Sequence, residues 1–328
     1  MKVPAGADIS EPWFDICVLP PNGKALSERF ARNAHGLRAC VKWLEENGIQ
    51  SIDLVIEPTG RYGEIVAEYF HKRKTRVFLA QPLKFSKYAE SHEIRIRSDR
   101  KAAYLLAEYC KERSDKLPQW QPKTNLEWEL RDTVVLIRSL TKRTVAIRCQ
   151  LACGLRSKFV KQQLEAELAM AESNLEQTLG RAKELIGQHP VLSNDFTLLC
   201  TIPGIADRSA VTLLTLIDFR RFRSSRSLAC FLGLTSRKHA SGISVREKDR
   251  ISKRGSAAVR GALFMPARAA RVHNPQIREF SERLLAQGKH DFTVQMAVIR
   301  KLVVTAWSVI HSQTAWDANH VNPHFKAS

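Results

Sequence analysis

Apolar and polar positions change rhythm along this chain. In its first third, short apolar runs alternate with stripes at helical spacing. Val3–Ile9 and Trp13–Leu19 predict strands, the second rich in aromatic and β-branched residues. Pro20-Pro21-Asn22-Gly23 predicts a turn, and Ala25–Phe30 a third strand. Leu37, Val41 and Leu44 recur at helical spacing, and Asn47-Gly48 closes that helix. Ser51–Ile56 is almost wholly apolar, as a central strand buried on both faces must be. Tyr62–Lys72 predicts a helix and Arg76–Ala80 a strand stopped by Gln81-Pro82. A basic loop with Lys84, Lys87, Arg95 and Arg97 follows, then a helix over Ser98–Lys111 capped by Ser98.

Residues 126–186 contain almost no glycine or proline. Leu130, Val134, Ile137 and Leu140 form one stripe, and Leu164, Leu168 and Leu175 another, set among Glu, Lys and Gln. This predicts a pair of long helices, a coiled-coil segment broken near Gly154–Lys158, serving as a spacer or an oligomerisation arm. His189-Pro190 marks a boundary. Beyond it, helices are expected over Ser209–Leu216, Ser225–Leu232, Ser256–Arg271, Gln276–Ala286 and Phe292–Ser312. The domains read as 1–122, 123–190 and 191–328. The class is α/β plus α. The opening order, three strands then alternating helices and strands, fits a ribonuclease-H-like mixed sheet. A Rossmann unit would need a glycine-rich first turn and early helices.

Charge narrows the partner. Lys and Arg number 52 and Asp and Glu 33, a net +19, in a chain with 44% hydrophobic residues. There is enough apolar surface for cores, and the surplus favours a polyanion, because Lys and Arg on phosphates release condensed counterions. Residues 191–328 hold 21 basic and 9 acidic residues, so most of the surplus lies there. The seven cysteines are odd in number and scattered, the pattern of thiols in a reducing compartment. Without an apolar leader core or a window of spanning length, no membrane association and a cytoplasmic location are expected.

Three carboxylates stand at strand and helix ends: Asp8, Glu57 and Asp99. In a ribonuclease-H-like sheet the first and fourth strands are neighbours. Asp8 and Glu57 would then meet at one edge, with Asp99 brought over them. Such a cluster suits divalent cations, Mg²⁺ among them, clamping a scissile phosphate. Unrelated surface acids are the plainer alternative. Leu199-Cys200-Thr201-Ile202-Pro203-Gly204-Ile205-Ala206 resembles a helix-hairpin-helix turn, in which backbone N–H groups near Gly204 meet a phosphate. From Arg237 to Arg260 there are eight Lys or Arg and two acids. Within this stretch Ser241 precedes Gly242. Arg237, Lys238, Arg246, Lys253 and Arg254 are candidate phosphate contacts. A serine oxygen can attack a phosphodiester and conserve the bond for rejoining. By spacing alone Ser241 reads first as a turn or phosphate-contacting serine, and Ser244 is equally eligible by chemistry.

Together these segments resemble the transposase-recombinases of the insertion sequence 110 family and the Piv-type DNA invertases, nearly end to end. The resemblance is carried by Gly6-Ala7-Asp8-Ile9, Ile56-Glu57-Pro58-Thr59-Gly60-Arg61-Tyr62 and Ser98-Asp99. It continues through Ile202-Pro203-Gly204-Ile205, Phe231-Leu232-Gly233-Leu234-Thr235, Ser241-Gly242-Ile243-Ser244-Val245-Arg246 and Ser252-Lys253-Arg254-Gly255. It implies a RuvC-like first domain, a coiled-coil insertion and a C-terminal transposase domain. It also implies a homo-oligomer (dimer or tetramer), DNA as substrate and a structured guide RNA that pairs with that DNA. The resemblance puts the catalytic serine at Ser241 and the acidic tetrad at Asp8, Glu57, Asp99 and position 102. Position 102 is alanine. Another acid such as Glu93 or Glu108 substitutes, three ligands suffice, or this copy is a decayed nucleic-acid-binding protein. A metal-dependent nuclease using Asp8 but not Ser241 is a further alternative.

Overall fold

The computed structural model describes residues 2–21, 23–92, 98–237, 240–241, 245–246, 250–252 and 254–318. The chain divides into two compact units, Met1–Pro122 and Lys123–Ser328.

The first unit runs β1 (Val3–Ile9), β2 (Trp13–Val18), β3 (Leu26–Ala31), α1 (Ala34–Glu46), β4 (Ile52–Ile56), α2 (Arg61–Lys72), β5 (Arg76–Leu79), α3 (Pro82–Ser91) and α4 (Asp99–Arg113). The sheet order is β3-β2-β1-β4-β5. β1, β2 and β3 pair antiparallel, whereas β1, β4 and β5 pair parallel. This is the mixed sheet that the strand order predicts. β4 is buried along its whole length. One face, with Ala5, Ala7, Phe14, Ile16, Leu54 and Ile56, packs on Leu37, Cys40 and Leu44 of α1 and on Val66, Ala67 and Phe70 of α2. The other face carries Gly6, Cys17 and Val55 and is covered by α4.

Gly6 sets how closely α4 approaches. A Cβ there would stand 2.3 Å from the Ala107 nitrogen and 2.4 Å from the Ala103 oxygen, both backbone atoms that cannot turn aside. Ala103 and Ala107 are themselves wholly buried, so small residues line both sides of the contact. Ser98 caps α4 as expected, accepting a hydrogen bond from the Lys101 N–H.

Pro82 starts a helix rather than ending structure, which corrects the expected basic loop. At the first helical position proline's fixed φ suits the helix, and its missing N–H has no intrahelical partner to lose. Phe85 of that helix packs on Tyr109 of α4. Arg95 and Arg97 lie outside the described residues.

In the second unit, α5 (Asn125–Ala152) opens with a capping box between Thr124 and Glu127. It runs antiparallel to α6 (Lys158–Gly187), and Arg143–Glu167, Arg148–Glu172 and Arg181–Glu129 ion pairs mark the register. Then follow α7 (Pro190–Cys200), α8 (Asp207–Leu216), α9 (Ser225–Phe231), β6 (Ser236–Arg237), β7 (Ala240–Ser241), β8 (Val245–Arg246) and β9 (Arg250–Ile251). The described part closes with α10 (Ala257–Ala262), α11 (Phe264–His273), α12 (Pro275–Ala286) and α13 (Asp291–Ser312). The expected helix over Ser256–Arg271 is thus two helices that part at Leu263. The long-helix pair and the C-terminal helices, expected as 123–190 and 191–328, share one unit. Leu130, Val134, Leu175 and Leu185 of the pair pack with Val211 of α8.

One correction concerns apolar length. By length and composition α13 is apolar enough to cross a membrane. In this fold it is a core helix: Val298, Ile299, Leu302 and Val303 are buried among Leu199, Leu213, Leu228 and Ala267.

Replacing Gly6 by alanine is expected to destabilise the first unit by about 2–3 kcal/mol, because a methyl group must enter a backbone-to-backbone contact. Denaturant unfolding of wild type and Gly6→Ala checks this. An unchanged midpoint would contradict the close packing.

Candidate active site

Strand register builds the acidic site. Ala7 pairs with Ile56, so the next residues, Asp8 and Glu57, stand level at the ends of neighbouring parallel strands. Asp8 faces Asp15 directly across the antiparallel β1–β2 pair, and Asp15 in turn faces Arg29 on β3. A row Glu57–Asp8–Asp15–Arg29 therefore crosses the sheet. Gly6 and Asp8 are two residues apart and share the α4 face. Asp99 is the first residue of α4, where the unpaired N–H groups and the helix dipole favour a negative charge.

The carboxylates feel one another. Partial burial raises the Asp8 pKa above its ordinary 3.8, and the charges of Asp99 and Asp15 raise it further. The Ile9 N–H and Arg29 act against this. Burial and then Asp8 raise Glu57 above 4.5. Charge thus couples Asp8 to Asp99 and Glu57 to Asp8.

Two further residues belong to the site, and the sequence reading did not single them out. Asp15 is 1% exposed. Arg29 gives Nε to its two carboxylate oxygens at 3.2 and 3.0 Å and Nη2 at 2.8 Å. The same Nη2 reaches Asp99 Oδ2 at 2.9 Å. The signal was available: one aspartate in the otherwise apolar run Trp13–Val18 must find a partner if that strand is buried. Ala102 lies one turn into α4 and offers no ligand.

The donor set is all oxygen, and Asp8 and Glu57 repel each other without a cation between them. That chemistry fits a hard divalent ion. Among the described residues no three His, Cys, Asp or Glu side chains enclose a metal position. Asp99 is instead bonded to Arg29.

The second unit places Ser241 on a β-ribbon. Ser236 pairs with Ile251 and Arg237 with Arg250, while Ala240 pairs with Arg246 and Ser241 with Val245. Three residues, 242–244, separate Ser241 from its partner, and they include Ser244, outside the described residues. Arg237 and Arg246 lie on the ribbon. Arg254 follows it, exposed, its N–H on Ser252 Oγ. Lys238 and Lys253 lie outside the described residues. The ribbon's base is fixed. Ser252 N–H donates to Thr235, Gly255 meets the Phe231 and Leu232 backbone, and Arg260 donates to the Leu232 and Gly255 carbonyls, each at 3.0 Å.

Gly204 occupies a turn with φ +103°, and a Cβ there would strike Pro266 and Ala270 of α11. Packing alone accounts for the glycine. The expected phosphate contact has no separate support from its geometry.

Comparison with known proteins decides the family. Residues 196–282 match the model described as "Transposase IS116/IS110/IS902 family", and residues 5–160 match a DEDD-type model of the same group, described as "Transposase". The chain belongs to the IS110 family of transposases. It is 30% identical over 320 residues to the pilin gene-inverting proteins of Moraxella bovis and Moraxella lacunata, covering 96% of this chain and 98% of each relative. The DEDD-type match implies that the sheet unit of this transposase is RuvC-like and suggests dependence on a divalent metal ion. Membership makes it a DNA-processing enzyme by family.

The raised pKa values carry a sign. A carboxylate whose folded pKa lies above its unfolded value lowers stability as pH rises through that interval. Asp8→Asn is expected to raise the denaturation midpoint at pH 7, and the gain should close as pH falls below the ordinary carboxylate pKa of 3.8. Paired urea titrations at pH 7 and pH 3.5 check it. A loss of stability at pH 7 would contradict the repulsion.

Proposed function

We propose that this transposase is a cytoplasmic, site-specific recombinase of an insertion sequence that breaks and rejoins DNA through Ser241. The Ser241 oxygen displaces one bridging oxygen of the scissile phosphodiester. A phosphoserine bond forms, and the departing DNA oxygen leaves as a hydroxyl, with a proton that balances the one lost by serine. Attack by the hydroxyl of an incoming strand reverses these bonds and frees the serine. Arg237, Lys238, Arg246, Lys253 and Arg254 neutralise phosphate charge around the step, and the Gly204 turn holds the DNA backbone.

Asp8, Glu57 and Asp99 are the residues that would hold Mg²⁺. When bound, the ion supplies charge neutralisation at the phosphate. In this reading the copies act as a dimer or tetramer joined through the α5–α6 coiled coil, and a structured guide RNA chooses the site by pairing. The relatives are named for inverting a pilin gene, and inversion or transposition of a DNA segment is the corresponding reaction here.

The observation that carries this reading is the gathering of Asp8, Asp99 and Glu57 at one end of the sheet, in a chain that matches two transposase models of one family. Ala102 and the bond between Arg29 and Asp99 favour a second reading, DNA binding without strand transfer.

A plasmid carrying the gene and its native flanks, screened by PCR for recombined junctions, separates them. Wild type is expected to give junctions, and Ser241→Ala to lower them about a thousandfold or more. Asp8→Asn is expected to lower them as well. Junctions that persist in Ser241→Ala would overturn the serine assignment. Broken ends that persist there, but not in Asp8→Asn, point to a metal-dependent nuclease. DNA binding with no junctions from wild type favours the second reading.

A further inference from the structure

Arg29 joins carboxylates from two layers of the first unit, and its two attachments differ. Asp15 is wholly buried, so its charge must be matched where it stands. The guanidinium does this with two nitrogens, at 2.8–3.2 Å from both oxygens. Its outer side lies over the Trp13 ring, with Cζ 4.7 Å from the ring centre. The Asp99 attachment is one hydrogen bond from Nη2, to a carboxylate that is half exposed and already favoured by the start of α4. One end is an anchor and the other a loose contact. Asp99 is also the acid that keeps the site from presenting three free carboxylates.

We infer that Arg29 is the resident counter-ion of the acidic site: it stays anchored on Asp15 and gives up Asp99 when a divalent cation binds there with Asp8 and Glu57. The inference rests on the metal reading above. Arg29 is a positioning residue. It holds Asp99 in place without a metal, and its charge opposes the cation that would bind there. Asp15 is the anchor that fixes Arg29. Its place across from Asp8 puts the guanidinium at the metal side of the sheet.

The test is Mn²⁺ binding to the full chain, followed by electron paramagnetic resonance of the free ion, for wild type, Arg29→Gln, Arg29→Lys and Asp8→Asn. Removing one positive charge a few ångströms from a divalent ion in near-aqueous surroundings is expected to tighten binding about tenfold in Arg29→Gln. Arg29→Lys keeps the charge and is expected to stay within about threefold of wild type. Asp8→Asn is expected to lose binding. If Arg29→Gln binds Mn²⁺ no more tightly than wild type while Asp8→Asn loses it, the counter-ion role is wrong and the metal reading stands. Binding that ignores Asp8→Asn, or is absent from wild type, removes both.

A second measurement needs no folded Arg29→Gln. In wild type labelled with ¹⁵N-arginine, the Arg29 side-chain signal, identified by its absence from Arg29→Lys, is expected to shift as Mg²⁺ is added. A signal unmoved at saturating Mg²⁺ overturns the inference.

Discussion

Helix α4 lies on β1 with no side chain between them at Gly6, and the acidic site depends on that contact. A methyl group at Gly6 would meet the α4 backbone at 2.3 Å. Held at this distance, the first residue of the helix, Asp99, comes close enough to Asp8 to raise its pKa. The sheet supplies the other half of the arrangement. Parallel β1 and β4 end together, so Asp8 and Glu57 stand level, and the antiparallel turn to β2 returns Asp15 opposite Asp8. Local packing and register, rather than any single motif, bring four acids to one end of one sheet.

Burial and neighbouring negative charge disfavour the charged forms of Asp8 and Glu57, and the packing of the sheet outweighs that cost. The sheet is sealed on one face by α1 and α2 and on the other by α4, with Phe14, Ile16, Leu54, Ile56 and Leu106 fully buried. Carboxylates with raised pKa values of this kind are common at functional sites. The ribbon of the second unit is fixed at its base, by Gly255 and Arg260 against the end of α9.

Much of this was legible in the sequence, and the misses have physical causes. The apolar run Ser51–Ile56, the Ser98 cap and the turn at Asn47-Gly48 each carry a local signal strong enough to survive tertiary context. The carboxylates at strand ends followed from strand order. Asp15 and Arg29 did not, because alternation tells which face a residue takes but not which residue lies opposite it on another strand. Pro82 carries the same signal whether it ends a strand or begins a helix, so its helix is not legible from the strand side. The apolar length of α13 was missed because its buried stripe is spread over six turns rather than gathered in one run. The ribbon around Ser241 was invisible because two-residue strands have no period to detect. Ser241 itself stood out only through the family resemblance. Its chemistry on spacing alone was no better than that of Ser244.

In the proposed function the carboxylates of the first unit and the serine of the second serve one reaction. Its most direct measurement is the covalent intermediate. Purified wild type would be mixed with end-labelled DNA carrying the element's junction, in Mg²⁺, and quenched in detergent. Labelled protein would then be isolated and digested for mass spectrometry. The account predicts a DNA phosphate on the peptide containing Ser241, absent from Ser241→Ala and strongly reduced in Asp8→Asn. Phosphate on another residue, or an undiminished yield from Asp8→Asn, would contradict it.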